Sequence, residues 1–305
     1  MKRVAIVGVI LAVASFMFAQ ARATQSQNPP AGPPAGQQST AAKPNAPAQE
    51  APPKRPPQAK TQPEFDAFKV ASANTDPAAV EKAADDFAAK FPDSELRVIL
   101  YKTAMRGYQN ANNSDKMLDM ARKALAIDPD DPEALVDQAE VLTERTRDTD
   151  LDKDQRLDEA RKSAERALQT IDTDIVFPAG TPPDKADAYK NLLRSSIYSI
   201  LGTLEFNKNN FMAAETDFRK SIDAYPQQPD PVTVLRLSLA LDRQNKYPEA
   251  LNYANKAVEL TQDGSGAHTL AIRERDRLVQ LTGGKPAPPP PTGAANPPQS
   301  TTTPH

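Results

Sequence analysis

For about 220 residues, from Glu64 to Thr282, large apolar side chains recur at steps of three and four, the period of a helix with one buried face. Short polar breaks interrupt the pattern, and glycine is scarce within it. The starts are marked. Asp76-Pro77, Asp131-Pro132 and Asp230-Pro231 each set a capping carboxylate ahead of a proline at the first helical position, where a missing N–H costs nothing. Asp93 and Ser114 are expected to cap two further helices, and Gly283-Gly284 to end the last one. Val232 to Leu241, "VTVLRLSLAL", alternates like a strand, but Asp230-Pro231 starts it as a helix and no second strand is available to pair with it. A helix apolar on nearly every side is expected there, buried on both faces.

The helices fall into pairs. Tyr198, Leu201 and Gly202 of "YSILG", followed by Ala214, Phe218, Ser221 and Pro226, resemble the skeleton of the tetratricopeptide repeat, with Tyr in place of its Trp. In that pattern small residues let two helices approach, an aromatic ring fills the gap beside them, and proline stops the second helix. Looser copies run through Tyr101 to Pro129, Leu135 to Ala167, and Val234 to Ala257, and a degenerate first unit containing "DDFAAKFPDS" resembles the opening repeat of envelope-assembly scaffolds. Equivalent second-helix positions Val80, Met117, Ala160, Ala214 and Ala250 are spaced 37, 43, 54 and 36 residues apart. A regular array has about 34. The resemblance therefore implies an all-α, irregular helical-hairpin solenoid of about five hairpins. Insertions are expected near Asp148–Asp154 and Asp172–Asp184, and a final helix from about Ala267 to Thr282 as the polar-faced cap.

Both ends have another composition. "MKRVAIVGVILAVASFMFAQARA" has a basic start, an apolar run and small residues at Ala19, Ala21 and Ala23, the make-up of a secretory signal peptide cleaved after Ala21 or Ala23. An uncleaved membrane anchor is the alternative. No cysteine follows the run, so a lipoprotein is not expected, and the absence of cysteine from the chain excludes disulfides and thiolate chemistry. Residues 24–63 and 283–305 are rich in proline and poor in large apolar side chains, and read as disordered spacers. The address implied is periplasmic or secreted, with no membrane span after cleavage.

The folded part offers little for chemistry. Its single histidine, His268, has no motif around it and reads as a helix-surface residue, and no nucleotide-binding, zinc-protease or nucleophile-elbow motif occurs. Asp148, Asp150, Asp152 and Glu159 match four positions of a calcium loop. Lys153 stands where that loop needs glycine, and Gln155 where it needs an apolar residue. Neither a metal nor a cofactor is expected, and a net charge of −3 argues against nucleic acid.

What remains is binding. In the tetratricopeptide family the first helix of each hairpin lines a concave groove that holds a protein or peptide. By that register the groove carries Lys102 and Arg106, then Glu133, Glu140 and Glu144, then Ser199, Thr203 and Asn207, then Leu235, Leu239 and Arg243. The Lys and Asn clamp for chaperone C-termini is absent, because Arg106, Glu140, Thr203 or Leu239 stands where Asn is needed. Leu235 and Leu239 are expected to form the docking patch unless the last helix covers them. An exported, non-catalytic scaffold is thus expected, the alternatives being a self-associating envelope subunit and, behind it, an enzyme of unknown chemistry. The oligomeric state is left open. Intact-mass measurement of the protein from its native envelope is expected to give a chain starting at Arg22 or Thr24; retention of Met1 would make it a membrane-anchored protein.

Overall fold

The computed structural model describes residues 54–284. The signal peptide, most of the N-terminal spacer and nearly all of the C-terminal one lie outside the described residues. Within them are five antiparallel hairpins and one closing helix: α1 (Gln62–Ser72) with α2 (Pro77–Lys90), α3 (Arg97–Asn110) with α4 (Ser114–Leu125), α5 (Pro132–Arg145) with α6 (Lys153–Thr170), α7 (Pro183–Asn207) with α8 (Phe211–Ala224), α9 (Pro231–Asp242) with α10 (Tyr247–Leu260), and α11 (Gly266–Thr282). Each helix packs on its neighbours in sequence, as in a solenoid.

Local chemistry sets most boundaries. The amides of Ala79, Ala134 and Thr233 each donate to the carboxylates of Asp76, Asp131 and Asp230 at 2.9 Å, so all three Asp-Pro starts work as the sequence predicts. The other two caps differ. Asn113, not Ser114, caps α4 by accepting from the Lys116 amide at 3.2 Å. α3 starts at Arg97, and Ser94 rather than Asp93 serves the turn before it, accepting from the Leu96 amide at 3.1 Å.

A shared device turns the first helix of three hairpins into the second. Asn112, Asn209 and Asn245 sit at φ of 55°, 59° and 61°, and the next residue's amide returns to Tyr108, Glu205 or Leu241. This is the left-handed helix stop that usually takes glycine. Asparagine tolerates it because its short polar side chain can hydrogen-bond locally. The third hairpin has a longer loop, from Thr146 to Asp152, in its place.

Small residues dominate the closest contacts. Ala104, Ala121, Ala124, Ala160, Ala164, Ala214, Ala250 and Ala254 have no exposed surface, and the fully buried Phe218 lies against Gly202. At Ser221 the hydroxyl donates 2.7 Å across the hairpin to the carbonyl of Ser195 on α7. The alternating segment is helical. α9 buries Thr233, Val234, Leu235, Leu237, Ser238, Ala240 and Leu241, covered by α8, α10 and α11, so no single face records the helical period.

Two regions depart from expectation. Residues 54–63 were expected in the disordered spacer, yet Lys54–Ala59 runs along the array without helix or strand, the chain bends at Lys60–Thr61, and α1 already begins at Gln62. The insertion expected at Asp172–Asp184 is partly helix. α7 starts at Pro183 and runs 25 residues, about three turns more than the repeat register needs.

Gly202 gives a test of the hairpin packing. An added Cβ would stand 2.6 Å from Phe218 Cδ1. In an open helix Gly→Ala gains about 0.5–1 kcal/mol, whereas overpacking a core costs about 1–3 kcal/mol. Gly202→Ala is therefore expected to lower the urea midpoint; an increase would show that the two helices are not in close contact there.

Candidate interaction groove

The first helices of the hairpins, α3, α5, α7 and α9, carry the residues expected to line a groove. They divide into three places and a core position.

The first place joins α3, α5 and α7. Lys102 pairs with Asp131 at 2.6 Å and also with Glu133, while Arg106 reaches both oxygens of Glu133 at 2.8 and 2.9 Å. From α7, the Tyr189 hydroxyl donates to the same carboxylate, and its ring meets Phe177 edge-on. Burial alone would push Glu133 up, but Lys102 and then Arg106 hold it far below the usual carboxylate range. Burial raises the Tyr189 phenol, and the charge of Glu133 adds to it.

Asp137, one turn further along α5, is 8 % exposed, and its carboxyl is influenced by burial and by the charges around it. Burial pushes its carboxyl well above the ordinary value, helped by the nearby charges of Glu140 and Glu133 and opposed by Arg106. Three acids, Asp131, Glu133 and Asp137, thus lie within the influence of Lys102 and Arg106. Asp137 and Tyr189 were not singled out in the sequence, and Asp131 was singled out only as a helix cap. Tyr189 lies in the extra turns of α7, whose Pro182-Pro183 start was the available signal.

The second place is a cavity of about 420 Å³ lined by Leu239, Asp242, Arg243, Asn245, Tyr247, Glu274 and Arg277. Here α9 ends against α11. Arg277 pairs with Asp242 and lies 3.3 Å from Glu274, and Arg243 stacks 5.9 Å above the Phe211 ring. Burial and then the neighbouring Asp242 push Glu274 up against the pull of Arg277. The third place is a crevice of about 380 Å³ where Asn207 meets Lys153, Asp154, Leu157, Asp158 and Lys208.

Leu235 is a correction. It was expected beside Leu239 on the docking face, but it is 4 % exposed and packs with Val234, Ala257 and Ala271, under α11. Leu239 remains half-buried at the cavity wall. His268 also differs from the surface residue expected. Its side chain is 15 % exposed, with Nδ1 3.0 Å from the Thr261 hydroxyl and Nε2 3.3 Å from Asp263, bracing the turn between α10 and α11.

In the calcium-like loop each carboxylate faces a cation. Lys153 lies 2.7 Å from Asp148, Arg156 lies 3.4 and 3.8 Å from Asp150 and Asp152, and Arg122 lies 3.3 Å from Glu159. Among the described residues no group of three or more ligating side chains could hold a metal ion, and no helix is long and apolar enough to cross a membrane.

No family model and no curated protein matches the chain. Among solved structures it is similar to the Cut9–Hcn1 hetero-tetramer of the APC/C, at 13 % identity and a TM-score of 0.33, covering 73 % of this chain and 46 % of that one. It is also similar to Acl4, an assembly chaperone of RpL4, at 11 % identity and a TM-score of 0.37, covering 72 % of this chain and 98 % of that one. The fold assignment rests on the hairpins themselves: five consecutive pairs in repeat register and a closing helix make a tetratricopeptide-like helical repeat.

Asp137 has a testable signature. An unfolded aspartate loses its proton near pH 4, whereas the folded one keeps it to higher pH, so the native state binds more protons in between. Stability contributed by the protonated group is then lost as pH rises from about 4 through the native pKa. Asp137→Asn is expected to melt higher than wild type at about pH 8, with the gap shrinking towards about pH 4. A gap constant across that range would show Asp137 to be ionised in the folded protein.

Proposed function

We propose that the protein is an exported, non-catalytic scaffold that binds a protein or peptide partner at the C-terminal part of its first-helix face. One observation carries this. Among the predicted contact residues, Lys102 and Arg106 are engaged by neighbouring helices, whereas Leu239 and Arg243 open on a cavity. An open depression of this size, with one apolar wall and an otherwise polar lining, suits a polar side chain presented by a partner. Leu239 supplies the wall, and Asp242, Asn245, Tyr247, Glu274 and Arg277 the polar groups. Export is supported by the basic, apolar and small-residue order of the first 23 residues, which places partner encounter in the periplasm or outside the cell.

A photo-crosslinking residue at Arg243 in the full chain, activated in intact cells, tests this. The expected result is one defined heterologous protein adduct, lost when Tyr247→Ala is added. Adducts only to a second copy of the chain would turn the reading to a self-associating subunit, and no adduct at either Arg243 or Leu239 would remove the face from consideration.

A further inference from the structure

The segment Lys54–Thr61 lies along the edge where one hairpin passes to the next. It crosses three such junctions, and each gives it an acceptor. At the α6–α7 junction the Lys54 amide donates to the Thr173 carbonyl at 2.7 Å, and its ammonium lies 3.4 Å from Asp174. At the α4–α5 junction the same ammonium reaches Asp128 at 2.5 Å. At the α2–α3 junction Arg55 grips Glu95 with two bonds of 2.6 and 2.8 Å, the Gln58 amide lies 3.4 Å from that carboxylate, and Lys60 donates to the Asp93 carbonyl at 2.8 Å.

None of these contacts depends on the shape of an apolar side chain. The edge reads positive charge, extended backbone and the spacing that Pro56-Pro57 imposes. No residue from 54 to 61 is fully buried: the Arg55–Glu95 pair is 64 % and 39 % exposed, the Lys54–Asp128 pair is half-buried, and Ala59 rests against the core. Exposed ion pairs hold weakly, and the attachment to α1 keeps the local concentration of the segment high. An occupant held in this way can be exchanged.

We infer that the acidic junction edge is a recognition track for basic, proline-flanked extended segments, and that Lys54–Lys60 occupies it in competition with a partner carrying that chemistry. Proline favours the extended form before docking, which lowers the ordering cost for any such segment. The inference rests on the reading of the protein as a protein-binding scaffold and names a partner class for a second surface of it. Because it concerns the edge and not the α9–α11 cavity, the two can fail separately.

The test uses the purified full chain and a labelled synthetic peptide, APPKRPPQAKT, the sequence of residues 51–61. Lys54→Glu with Arg55→Glu releases the built-in segment. Fluorescence anisotropy is expected to show the peptide binding this variant at least about tenfold more tightly than wild type, because the track is no longer occupied. Adding Glu95→Lys is expected to abolish that binding, and raising salt to weaken it. Equal binding by wild type and the released variant, or indifference to Glu95→Lys, overturns the proposal. If the released variant loses helicity, hydrogen exchange on wild type decides: excess peptide should speed exchange at the Lys54 and Gln58 amides, and no change there also overturns it.

Discussion

Glu133 sets the centre of the array. It is 7 % exposed, and it is held by Lys102 and Arg106 from α3, in the hairpin before, and by Tyr189 from α7, in the hairpin after. A buried carboxylate is tolerated only when charge and hydrogen bonds replace the water it has lost. That requirement ties α3, α5 and α7 together at one point. In consequence α5 is enclosed, with eleven of its fourteen residues buried, and Glu133 and Lys102 are turned inwards, while Arg106 stays half-exposed and Glu144 exposed. The small-residue packing inside each hairpin gives the repeats their shape, and the Glu133 cluster fixes three of them relative to one another.

A division of the first-helix face follows. Its N-terminal part is tied together by the Glu133 cluster, while its C-terminal part ends in a cavity between α9 and α11. α11 does two jobs in making that cavity. It covers Leu235, completing the core of α9, and it sends Arg277 to Asp242 on the cavity wall. At the junctions between hairpins, acidic loops carry a basic segment of the same chain.

Much of the fold was legible because its signals are local. An Asp-Pro pair both caps and starts a helix within four residues, and the Ala214, Phe218, Ser221 and Pro226 spacing records how α8 meets α7. Three kinds of feature were not legible. The Asn112, Asn209 and Asn245 turns are single residues whose conformation becomes evident only beside one another. For Leu235 repeat register left two readings open, a docking patch or cover by the last helix, and only its packing with Ala257 and with Ala271 of α11 decides for the second. Lys54–Lys60 has the composition of a spacer because it buries little beyond part of Ala59; what holds it are charges 40 to 120 residues away, and no local pattern encodes those pairings.

If Glu133 and its partners anchor the array, α5 should be the last helix to open. Native-state hydrogen exchange measures this directly. The expected result is that amides of α5 exchange only by global unfolding, while α1, which buries only Glu64 and Ala71, opens at a much lower free energy. Exchange in α5 as easy as in α1 would contradict the account, because the charged cluster would then be a surface feature and not the point on which the hairpins are fixed.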